Sequence, residues 1–200
     1  MKLQKMIALS AITLTLVAAP MLTYQQSVQA ESTAATPPAG VGGKLLFLYA
    51  DAAINEGNYD QAIALYTQAM TSFQPGSDDE SEALGYRAAA FSNKKDYAKA
   101  ADDYTALAKN QPKNAKAYRM RGLMYSVLEK YDLSLADATK SLELDPKNPT
   151  YLIDRAFAYN YTNEREKAKA DLNAAREIFK EQGDKAGLKE VKEIMKSMRL

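Results

Sequence analysis

Two short stretches decide the fold: Gln111 to Tyr118 reads QPKNAKAY, and Asp145 to Leu152 reads DPKNPTYL. Pro112 and Pro146 stand 34 residues apart, and each is followed by Lys and then Asn. The same step carries much of the chain onto itself. It leads from Arg87 to Arg121 and Arg155, from Asp103 to Asp137 and Asp171, and from Ala88 to Gly122 and Ala156. It also leads from Phe91 to Tyr125 and Tyr159, from Ala100 to Ser134 and Ala168, and from Tyr97 to Tyr131. Coincidences this numerous at one period mean a repeat, and a period of this length belongs to stacked supersecondary units.

Each unit divides into two apolar-periodic runs separated by a polar break such as Asn93-Lys94-Lys95-Asp96. That pattern predicts two amphipathic helices joined by a tight turn. Expected N-caps are Asn58 with Gln61 three residues on, Asn163 with Glu166 three residues on, Asp96 before Tyr97, and Asn148 before Pro149. The recurring Ala, Gly and Ser positions must lie where two helix axes approach to about 8–10 Å, because larger side chains do not fit there.

The pattern resembles the tetratricopeptide repeat, with small residues at motif positions 8 and 20, large ones at 4, 11, 17 and 24, and Pro at 32. Ser81 to Asn114, Ala115 to Asn148 and Pro149 to Gln182 carry it well. A looser first unit, Gly43 to about Gly76, holds Leu46, Ala50, Gly57, Tyr59, Ala62, Tyr66 and Ala69 in register. The second unit starts four residues late, through an acidic turn Ser77-Asp78-Asp79-Glu80. The last unit has Arg165 in place of the aromatic at position 17 and Lys180 in place of the Pro. The resemblance implies an all-α fold, a right-handed superhelical solenoid of about four helix hairpins over residues 44–182. Lys185 to Met198, with Leu188, Val191, Met195 and Met198 at 3/4 spacing, reads as a capping helix within residues 183–200.

The N-terminus carries a different signal. Lys2 and Lys5 precede the apolar run IALSAITLTLVAA, Pro20 ends it, and Val28 and Ala30 supply small residues at the −3 and −1 sites. Residues 1–30 are therefore expected to be a secretory signal peptide, the run being short for a span of about 20 residues. An uncleaved anchor is the alternative. Residues 31–43 (ESTAATPPAGVGG) read as a flexible tether. The expected location is beyond the cytoplasmic membrane: a periplasm, a lumen or secretion.

Composition narrows the function. The chain holds 26 Lys and Arg against 25 Asp and Glu, a net +1 that becomes −1 without Lys2 and Lys5, so nucleic-acid binding by bulk charge is not expected. It has no His and no Cys, hence no ordinary general base, thiol nucleophile or zinc ligand set. Asp102 and Asp103 with Asp78, Asp79 and Glu80 suggest no reacting pocket, and Pro38 to Leu45 lacks the first Gly and closing Ser/Thr of a phosphate loop. No catalytic residue, cofactor or metal is expected, and the chain is not expected to be an enzyme.

Arg87/Asp103, Arg121/Asp137 and Arg155/Asp171 are each sixteen apart and read as inter-helix ion pairs. Spacing leaves open whether each Arg meets the Asp of its own unit or of the preceding one. The resemblance further implies that the first helices line a concave groove through motif positions 2, 5, 6, 9, 12 and 13. Carried onto this chain, the groove would offer Phe47, Leu48, Asp51 and Asn55; Glu82, Tyr86, Ala89 and Asn93; Arg119, Met120, Leu123 and Val127; and Asp154, Phe157, Asn160 and Tyr161. Tyr86, Arg119, Met120 and Tyr161 are the expected anchors of a partner. The family's clamp for C-terminal carboxylates is not expected, since position 9 reads Asp51, Ala89, Leu123 and Phe157.

The expected function is an exported protein-interaction scaffold that binds a peptide or helix of a partner in the concave groove. The alternative is a structural assembly factor of an envelope or membrane complex that uses convex or end surfaces. Lys185, Lys189, Lys192, Lys196 and Arg199 beside the apolar stripe of the last helix make membrane association the minority reading of that segment.

Overall fold

The computed structural model describes Pro37 and residues 40–200. The expected signal peptide and most of the tether lie outside the described residues. Among the described residues there are nine helices and no strand: α1 (Gly43–Asn55), α2 (Tyr59–Met70), α3 (Asp78–Asn93), α4 (Tyr97–Asn110), α5 (Ala115–Val127), α6 (Tyr131–Leu144), α7 (Pro149–Tyr161), α8 (Arg165–Gln182) and α9 (Lys185–Met198). Each packs on the next in sequence, and the first helices α5 and α7 also touch directly. This is an all-α helical repeat solenoid. No helix of the described residues is long and apolar enough to cross a membrane.

Local chemistry explains the boundaries. Asn58, Asp96, Asn114 and Asn148 each accept a hydrogen bond from a backbone N–H two or three residues on, which satisfies a donor the first turn leaves open. The acidic stretch expected to be a turn is instead the first turn of α3. Ser77 accepts from the Glu80 N–H (3.2 Å), and the Glu80 carboxylate reaches back to the Gly76 N–H (2.6 Å). Three carboxylates at a helix N-terminus are stabilised by its dipole, so the segment winds rather than bends. Gly43, counted with the tether in the sequence, is the buried first residue of α1. A Cβ there would fall 2.7 Å from the Phe73 ring and 2.9 Å from the Ala69 carbonyl.

Asn163 is not an N-cap. It takes a left-handed conformation, φ 64°, and α8 begins two residues later. The reason is common to the repeats: Gly57, Lys95, Glu129 and Asn163 stand at the same motif position 15, and all have positive φ. The hairpin turn requires a left-handed residue there, which costs about 1–2 kcal/mol for a side chain with a Cβ. Only the first unit uses Gly.

Packing follows the small residues. Ala88, Gly122 and Ala156, with Ala100, Ser134 and Ala168, are all buried. A Cβ on Gly122 would sit 3.0 Å from the Asp137 Cβ and 3.4 Å from the Ser134 carbonyl, so the two helices of that hairpin meet almost backbone to backbone. Large side chains fill the spaces between: Leu46, Leu65 and Tyr66 in the first unit; Leu84, Tyr104, Leu107, Met120 and Met124 in the middle; Leu152, Ile153, Leu172, Phe179 and Val191 at the end.

Each arginine meets the aspartate of its own unit. Arg87, Arg121 and Arg155 grip Asp103, Asp137 and Asp171 through Nε and Nη2, with both contacts of every pair at 2.7–2.8 Å. The remaining nitrogen reaches backwards: Arg87 Nη1 donates to Thr67 of α2 (2.9 Å), and Arg121 Nη1 to Thr105 of α4 (3.3 Å). One guanidinium thus ties three helices from two units.

The last helix covers the end of the array. Val191 and Met198 of α9 are buried with Phe179, and Leu188 and Met195 pack against the same cluster. A Cβ on Gly187 would lie 2.4 Å from the Phe179 ring, so this helix too needs a glycine to seat. Arg165, which replaces an aromatic, caps α9 instead: its Nη2 donates to the Met198 and Arg199 carbonyls, both at 2.9 Å. Without a proline at Lys180, α8 runs on to Gln182 and ends at left-handed Gly183.

Two outcomes are expected in chemical denaturation followed by circular dichroism. Asp137→Ala strands the largely buried Arg121 guanidinium and should cost about 3 kcal/mol; an unchanged midpoint contradicts the pairing. Glu129→Gly relieves the left-handed strain and should gain about 0.5–1 kcal/mol, while a loss would show the turn needs that side chain.

Candidate functional site

The inner face is built as a ladder of rungs between successive first helices. At two of the three junctions the side chain at position 5 of one unit meets that at position 6 of the next, a spacing of one repeat plus one residue. The first rung is aromatic: Phe47 of α1 meets Tyr86 of α3 edge to face, with centroids 5.3 Å apart and planes at 89°. The third is ionic: Arg119 Nε of α5 donates to Asp154 Oδ2 of α7 at 2.5 Å. At the second rung the positions are Gly85 and Met120, and Met120, at 6% exposure, belongs to the middle core.

These rungs sort the expected groove residues. Met120 is not an exposed anchor, because its side chain is buried among the residues of the middle core. Arg119 is committed to Asp154. Leu123 is half-buried against the middle core, and Phe157 is half-buried in the cluster that α9 closes. Glu190 of α9 comes within electrostatic reach of Asp154 and Arg119, which places the capping helix beside this end of the inner face. Asn160 is half-buried at the end of α7. Asn93 is exposed and donates to the Ala89 carbonyl of its own helix (2.9 Å).

The first two units differ. Tyr86 is 41% exposed, while Tyr66 of α2 beneath it is fully buried. Tyr66 lies 5.1 Å from Phe47 and 5.9 Å from Tyr86, centroid to centroid, so the three rings form one corner. The Tyr66 hydroxyl donates to Asp51 Oδ1 at 2.5 Å. Burial raises the Asp51 carboxyl above its ordinary range, the Tyr66 bond offsets part of this, and the Glu82 charge adds to it. Burial also raises the hydroxyls of Tyr66 and Tyr86, with Asp51 and Glu82 adding to both. Among the described residues no ion pair reaches Asp51 or Glu82.

Tyr161 joins a separate feature. It stacks on Tyr131 of the preceding unit, with centroids 4.6 Å apart and planes at 11°. The two rings line a cleft of about 530 Å³ with Glu129, Lys130, Asp132, Leu133 and Thr162. Leu133 is 48% exposed. The 34-residue step was the signal for it: the equivalents Lys99 and Lys167 lie over the Phe91 and Tyr159 rings, at 5.4 and 5.3 Å, and only the third unit has Leu there. Among the described residues no three acidic side chains converge to hold a metal ion.

A tetratricopeptide-repeat family model matches residues 43–73 and 115–148. Those two stretches carry tetratricopeptide repeats. Over 98 residues, 48% of the chain, it is 33% identical to protein unc-45 homolog B of Danio rerio, of whose length this is 10%. Among solved structures it resembles MamA from Desulfovibrio magneticus RS-1 (21% identity, TM-score 0.64, covering 70% of this chain and 77% of that one). It also resembles the TPR2B domain of yeast Sti1 in its complex with pHsp70 (24%, TM-score 0.56, 60% and 95%). At these identities the structural likeness carries the fold.

Asp51 gives a pH test. A carboxyl held above its ordinary 3.8 favours the folded state when protonated, so its contribution is present below that value and is lost as pH rises through the folded one. Asp51→Asn keeps an acceptor for the Tyr66 hydroxyl. It should raise the unfolding midpoint at neutral pH, and the gain should vanish below pH 3.8. A gain equal at both pH values contradicts a desolvated Asp51.

Proposed function

We propose that the chain is an exported protein-interaction scaffold that holds a peptide segment or helix of a partner against the inner face of its first two units. The observation that carries this is Tyr86: a large aromatic side chain, 41% exposed, on a first helix whose counterparts in the third and fourth units are buried or ion-paired. An exposed aromatic ring beside half-buried Phe47 and Asp51 supplies the kind of anchor that dominates binding energy at protein interfaces. The like-folded Sti1 domain in its complex with pHsp70 supports a binding role for the scaffold. Export rests on the basic start, apolar run and small-residue cleavage site of residues 1–30.

One observation favours the assembly reading. Leu133, 48% exposed beside the Tyr131/Tyr161 cleft, offers a second apolar spot on a second helix, away from the inner rungs. The two surfaces separate by substitution. Affinity capture of the mature chain from its own compartment should lose its partner with Tyr86→Arg and keep it with Leu133→Asp. The reverse pattern assigns the partner to the Tyr131/Tyr161 cleft.

A further inference from the structure

Two carboxylates enter the aromatic corner of the first units, and no cation of the described residues answers them. We infer that the corner of Phe47, Tyr66, Tyr86, Asp51 and Glu82 receives a cationic side chain, lysine or arginine, of a bound peptide; this rests on the inner-face reading above. The parts are placed for it. Asp51 follows Phe47 by one turn on α1, and Glu82 precedes Tyr86 by one turn on α3, so each acid stands beside an aromatic residue on a helix facing the other. Tyr66 forms the floor and holds one Asp51 oxygen.

Charge decides the occupant. Asp154, the acid of the third rung, is already matched by Arg119. Among the described residues Asp51 and Glu82 have no cationic partner, and the Glu82 charge repels that of Asp51. An apolar side chain placed there would desolvate both without compensation, and an acidic one would add a third like charge. A cation over the exposed Tyr86 ring gains the attraction of the ring face and of both carboxylates together. With only two acids at the corner and no cluster of three or more, a metal ion lacks the ligands it would need.

The test uses the mature chain and pools of short acetylated, amidated peptides, degenerate except for a central Lys, Arg, Gln or Glu, with affinity read by fluorescence anisotropy. Lys- or Arg-centred pools should bind about tenfold tighter than Gln-centred ones, and Glu-centred pools weakest. Glu82→Gln and Tyr86→Leu should each close most of that gap, whereas Tyr86→Phe, which keeps the ring, should preserve it. Unchanged thermal midpoints in circular dichroism confirm that the variants fold. A Lys preference untouched by Glu82→Gln and Tyr86→Leu overturns the proposal. Equal binding of Lys- and Gln-centred pools, both abolished by Ala89→Arg, also overturns it but leaves the inner-face reading standing. If the unsubstituted chain binds no pool, both fall.

Discussion

Two helix axes reach the short end of their usual separation of about 8–10 Å only where the side chains between them are very small, and this chain meets that condition at a fixed interval. Ala88, Gly122 and Ala156 on the first helices, with Ala100, Ser134 and Ala168 on the second, bring each hairpin into contact. The short hairpins bury little alone, so each leans on the next, and the array needs a last helix to cover its end. Gly187 repeats the device at that final interface, where nothing larger clears the Phe179 ring.

On that base the bidentate arginines act as staples. They bond the two helices of a unit and, through Thr67 and Thr105, reach the unit before. A buried ion pair is seldom a large net source of stability. Its use here is geometric: a planar guanidinium held by an aspartate and, in Arg87 and Arg121, by a threonine of the unit before fixes the angle and register of the hairpins it joins. Register then determines which residues meet on the inner face, and so which rungs close on themselves and which stay open.

The fold was legible because its cause is periodic. One step of 34 residues exposes the small residues, the aromatics and the Arg/Asp sets together. The candidate site was only partly legible, because a rung joins residues one repeat plus one position apart and its chemistry changes at every step. Nothing periodic marks Arg119 as consumed by Asp154, Met120 as core, or Phe47 and Tyr86 as an open corner. The left-handed residue at position 15 was hidden differently: Lys95 and Glu129 show no preference for it, Asn163 suits an N-cap as well as a left-handed turn, and the tertiary fold imposes the conformation. Arg165 breaks the repeat pattern for a reason that lies outside its own unit, since α9 ends on its guanidinium.

Nearest-neighbour support has a direct reading in native-state hydrogen exchange. Gly187→Val should unseat α9 from Phe179, and protection should then fall in α8 and α7, fade through α6 and α5, and stay unchanged in α1 to α4. An equal fall across all nine helices of the described residues would mean one indivisible core, and would contradict an array held together step by step.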